Sequence, residues 1–141
     1  MSELIDKPRG AFLFLLIGGL LMFAVGVLFL ARPTILTSGM GVGMESAAAR
    51  TDIRAVYGGF EVAIGVFMIW ASRRAERMQA GLMLAACIAL GAAGGRVVGF
   101  VIEGSVDGRN LLWGTLEFAG GLAAVWFMGQ LVARKRDLGS H

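Results

Sequence analysis

Residues 10–31 run for 22 positions without one charged side chain. An α-helix rises about 1.5 Å per residue, so this run alone reaches across a hydrocarbon layer about 30 Å thick. Three more apolar runs follow, at about 53–71, 79–102 and 110–132. In a bilayer every backbone N–H and C=O must be satisfied without water, which leaves helices as the solution for runs of this length. The expected fold is all-α: a polytopic membrane protein in which residues 1–141 form a single four-transmembrane-helix bundle. Hydrophobic residues make up 57% of the chain and charged residues only 16%, against roughly 25% charged in an average soluble domain. Mean hydropathy is +0.74. The apolar excess must therefore face lipid, and too little chain remains outside the spans for a large extramembrane catalytic domain. The first run exceeds the about 7 to 15 apolar residues of a secretory signal and reads as a retained helix.

Thr51 is a plausible N-cap for the second run, with Asp52 in its first turn. Arg73 and Arg74 end it, and Arg134-Lys135-Arg136 ends the fourth. The first loop, residues 32–50, is the only long one. Its glycine-rich stretch from Ser38 to Met44 is either a lid on the outer surface or a solvated connector, and Glu45 to Arg50 suit a short helical lead-in. Eight Lys and Arg side chains fall on the side of the termini and the second loop, and four on the other. By the positive-inside rule both termini are cytoplasmic. Tyr57 and Trp113 then lie near the outer interface, Trp70 and Trp126 near the inner one.

The 13 basic residues form short clusters between apolar runs rather than one face, which argues against nucleic-acid binding. Cys87 is the single cysteine and His141 the single histidine. Neither a disulfide nor a histidine-ligated metal or haem site is expected, and no cofactor motif occurs. Gly139-Ser140-His141 has the look of a residual expression tail.

Tyr57-Gly58, Glu61, Gly65 and Trp70 recur 56 positions later as Trp113-Gly114, Glu117, Gly121 and Trp126. Both segments run from outside to inside, as a duplicated helical hairpin would. On helical spacing Arg54, Tyr57, Glu61 and Gly65 form one stripe, and Asn110, Trp113, Glu117 and Gly121 another; Arg96 and Glu103 share a face of the third span. At about 1.5 Å per residue, Glu61 lies roughly 12 Å, and Arg96 and Glu117 roughly 9 Å, below the outer ends of their spans. Three ionisable groups at one depth are expected to meet, because a lone charge there costs several kcal/mol. The expected site is a buried Glu61–Arg96–Glu117 cluster rimmed by Arg54, Tyr57, Glu103, Asn110 and Trp113. Two carboxylates around one guanidinium leave a negative charge, which favours one glutamate holding a proton. Such a cluster is either a clamp that fixes helix register or a polar pocket open to the outside.

Gly91, Gly95 and Gly99, and likewise Ala55, Gly59 and Ala63, form small-residue rows that permit close helix approach, within the chain or in a homodimer or larger membrane complex.

The run Arg54-Ala55-Val56-Tyr57-Gly58-Gly59 with Gly65, then Arg96, Asp107-Gly108 and Glu117, resembles a bacterial family of small four-helix membrane proteins known only as a domain of unknown function. The architecture is also similar to the broader DoxX-like group. The resemblance covers the last three helices and implies a four-helix inner-membrane protein with Arg54, Tyr57, Arg96 and Glu117 as signature positions. It supplies no reaction. Three functions remain open. The first is an accessory or small-ligand-binding inner-membrane module, with the lipid bilayer and a small-molecule or lipid ligand as partners. The second is a proton-coupled small-solute transporter. The third is a lipid- or quinone-handling enzyme using Glu61 or Glu117 as acid or base.

Overall fold

The computed structural model describes residues 8–34 and 43–138, with side chains through residue 134. Lys7, the stretch 38–42 of the glycine-rich loop, the basic side chains at 135 and 136, and Gly139–His141 lie outside these. The described elements are α1 (Arg9–Ala31), α2 (Ala47–Ile53), a π-helical segment (Arg54–Gly59), α3 (Phe60–Ser72), α4 (Ala75–Glu103) and α5 (Gly108–Leu138). From Ala47 to Ser72 the helix is continuous through the π segment, so four helices are long and apolar enough to cross a membrane. No more than 28% of any span's apolar window is buried within the chain. Val101 and Ile102 are 77% and 74% exposed. Such side chains are tolerable only against lipid or a partner.

Helix ends differ locally from expectation. The second span starts at Ala47, because Ser46 in extended conformation accepts the Ala49 N–H on its Oγ at 3.0 Å. Thr51 is one turn inside, its hydroxyl donating to the Ala47 carbonyl at 2.9 Å. Either residue satisfies the capping preference, but only Ser46 is followed by the alanines that extend the helix by a turn. The third span ends where Gly104 takes φ +62°, a left-handed C-terminal stop that glycine adopts without steric penalty.

The chain divides into two compact units: Leu16–Trp70, and Met1–Leu15 with Ala71–His141. In the first, glycines bring α1 against the second span. A Cβ on Gly65 would lie 2.6 Å from the Gly19 carbonyl oxygen and the Phe23 nitrogen, and one on Gly26 would lie 2.8 Å from the Gly58 carbonyl oxygen. The partners are backbone atoms, so side-chain rotation relieves nothing. In the second unit Leu15, Ala71, Met78 and Leu82 are buried, and a Cβ on Gly81 would lie 2.7 Å from that of Ala71.

The rows read from the sequence as close-approach surfaces behave differently. Gly91, Gly95 and Gly99 have nothing within 4 Å of a built Cβ, and Gly59 only a carbonyl of its own helix at 3.9 Å. In the unit Leu16–Trp70 the contacts under 3.0 Å fall instead on Gly19, Gly26, Gly58 and Gly65, each pair seven residues apart and therefore on one helix face. Gly95→Ala is accordingly expected to raise stability by about 0.5–1 kcal/mol through helix propensity alone. Unfolding in mixed micelles would measure this.

Candidate functional site

On α5, Asn110, Gly114 and Glu117 follow at intervals of four and three and share one face of a regular α-helix. Arg96 of α4 lies across that face. The missing side chain at Gly114 makes room for its stem: a Cβ there would be 3.2 Å from Arg96 Cδ. With the stem seated, the guanidinium reaches both neighbours. Nε and Nη2 donate to the two carboxylate oxygens of Glu117 at 2.7 and 2.8 Å, and Nη1 donates to Asn110 Oδ1 at 2.6 Å. This fork-to-carboxylate geometry is the strongest arrangement an ion pair offers and fixes the guanidinium plane. Asp107 organises the start of α5, its side chain accepting the Asn110 N–H at 3.2 Å and its carbonyl the Leu111 N–H at 2.9 Å.

The pair is not sealed. Arg96 and Glu117 side chains retain 29% and 23% of their exposure, and Arg96 borders a groove of about 430 Å³ between α4 and α5. Leu90, Val97 and Phe100 line it from α4, Leu111, Thr115 and Phe118 from α5. The Thr115 hydroxyl donates to the Leu111 carbonyl at 2.8 Å, leaving its lone pairs as acceptors. The wall is thus apolar, with a charge-neutral polar edge at one place.

Two members of the three-residue cluster expected from depth, Arg96 and Glu117, belong to one compact unit, and Glu61 belongs to the other. Within its unit Arg96 pairs with Glu117 and also donates to the Asn110 amide oxygen. Glu61 stands on α3 in the unit Leu16–Trp70, and its Oε2 is buried with no hydrogen-bond partner among the described residues. Arg54 and Tyr57 belong to the π segment, whose wider turn breaks the constant helical step on which their stripe with Glu61 was counted. Arg54 Nε donates to the Leu30 carbonyl at 3.0 Å, satisfying an end carbonyl of α1. Tyr57 packs on Phe29 with ring centroids 5.4 Å apart. Glu103, the last residue of α4, and Trp113 are both exposed. Gly114 and Thr115 were not singled out from the sequence as site residues. The sign of Gly114 is its position on one helix face between Asn110 and Glu117; Thr115 carries no such sign.

No curated protein and no solved structure matches the chain. A family model described as "Domain of unknown function (DUF4345)" matches residues 11–128. That match takes in the second and third candidate spans, most of the first and fourth and every site residue described above, and the chain belongs to the DUF4345 family of unknown function.

Proposed function

We propose that the chain is a small-ligand-binding membrane module whose site is the groove between α4 and α5, with Arg96, Glu117 and Asn110 at its polar edge. The observation that carries this is a groove of about 430 Å³ meeting a charge-neutral, geometrically fixed polar group on a lipid-exposed hairpin. A pocket of predominantly apolar lining with few placed polar groups is what small-molecule sites generally present. Arg96 and Glu117 cancel each other's charge, so the occupant is an uncharged amphiphile: an apolar body along Val97, Leu111 and Phe118, and a hydrogen-bonding head at Thr115 and the Arg96 edge. A photoreactive neutral amphiphile, such as a diazirine-bearing monoacylglycerol in vesicles of phosphatidylcholine, should label peptides covering residues 90–100 and 111–118. Labelling spread evenly over all four spans would remove the site.

The setting we propose is a bacterial inner membrane, in a DoxX-like architecture with cytoplasmic termini. The excess of Lys and Arg on the side of the termini and second loop supports that orientation. In a chain with Cys87 replaced by alanine, cysteines at the exposed positions Ala48 and Ala75 should react with an impermeant maleimide from opposite sides, Ala48 from outside. Reaction of both from one side would refute it. Ser72 is unsuitable as a reporter because it is fully buried.

A further inference from the structure

The two hairpins of the internal repeat treat equivalent glutamates differently. Gly58 and Gly114 are equivalent at the offset of 56, and each admits one residue of the preceding helix. Over Gly114 that residue is Arg96; over Gly58 it is Leu30, whose Cγ and Cδ2 would lie 2.8 Å from a Cβ built there. Three positions on, Glu117 is held by the guanidinium. Glu61 has an aliphatic side chain where its equivalent has a cation. Of the other cations in its unit, Arg50 donates to the Met44 and Glu45 carbonyls and Arg32 is exposed just past the end of α1. From Leu16 to Ala31, α1 carries no charged residue. On Glu61's own helix Arg54 donates to the Leu30 carbonyl, and Asp52 is acidic. Arg96 of α4 is engaged by Glu117 and Asn110. Glu61 Oε2 is buried without a partner among the described residues.

An unpaired carboxylate within a membrane span costs more than the neutral acid, which needs no counter-charge and can offer its own O–H as a donor. From this geometry we infer that Glu61 is a proton-binding site, held as a neutral carboxylic acid that exchanges its proton with water. One copy of the repeat keeps its carboxylate for structure and the other keeps it for protons. The assignment does not rest on the ligand-binding role of the α4–α5 groove, and either can fail without the other.

Infrared spectroscopy of the full chain in lipid, with ¹³C-glutamate incorporated, decides it. The expected result is a neutral-acid C=O band that shifts with the ¹³C label, shifts again in D₂O, disappears in Glu61→Gln and survives in Glu117→Gln. Should the Gln variant fold poorly, Glu61→Asp serves, because the ¹³C-sensitive band is then replaced by an unlabelled one. Absence of a Glu61-dependent acid band overturns the proposal, as does a carboxylate band at Glu61 that responds to sodium. An acid band that does not move in D₂O makes Glu61 a fixed neutral group and overturns proton exchange.

Discussion

Arg96→Ala is expected to lower stability by about 3 kcal/mol, the lower end of the range for breaking a buried ion pair, because both partners keep some exposure. The loss has two parts: the charge-assisted bonds themselves and the cost of leaving the Glu117 carboxylate and the Asn110 oxygen in the membrane without a donor. The second part is reversible by mutation. Combining Arg96→Ala with Glu117→Gln should recover at least 1 kcal/mol, since a neutral amide no longer needs the cation. Combining it with Glu61→Gln should give additive losses, because the guanidinium is engaged by Glu117 and Asn110. Unfolding of the single and double variants in mixed micelles measures both couplings. Additivity with Glu117 would contradict the fork geometry, and coupling to Glu61 above about 0.5 kcal/mol would restore the three-residue cluster.

Gly65→Ala is expected to cost close to 3 kcal/mol, near the top of the usual range for overpacking. The added methyl would meet the Gly19 carbonyl oxygen and the Phe23 nitrogen at 2.6 Å. Neither can swing away, so α1 and the second span must separate along their contact. In hydrocarbon no hydrophobic gain compensates, because lipid tails are as apolar as the side chains they would replace. Paired with Gly95→Ala, whose methyl enters open space, the substitution separates the packing effect from the general benefit of alanine in a helix. Comparable losses in both variants would show that the α1 contact is not specific.

The four spans were legible because length and hydropathy are properties of whole segments, and a run like residues 10–31 has few alternatives. The Arg96–Glu117 partnership was also legible: a cation and an anion at one depth on neighbouring helices must find each other. Rotation about each helix axis was harder to read. Depth counts residues along the axis, whereas meeting requires the right azimuth, and the π segment at Arg54–Gly59 alters that azimuth for everything upstream of Glu61. A uniform helical step therefore does not describe the turn between Arg54 and Gly59. The glycines show a related limit. GxxxG spacing describes a face that permits close approach but not whether a neighbour occupies it. Gly91, Gly95 and Gly99 have the pattern without the contact, while Gly58 and Gly65 have the contact without that pattern. The groove beside Arg96 left no sequence signature, since Leu, Val, Phe and Thr at lipid-facing positions look the same whether or not two helices part between them.

Native mass spectrometry of the protein released from gently extracted membranes tests the ligand-binding role most directly, when the native chain is compared with Gly94→Phe. Gly94 lines the groove and has open space around it, so a larger side chain can be introduced there to obstruct the groove. A bound uncharged amphiphile is expected on the native chain, lost at least tenfold in Gly94→Phe while the unfolding free energy stays within about 0.5 kcal/mol of native. The same adduct retained at native occupancy by Gly94→Phe, or no adduct on the native chain, would contradict that role.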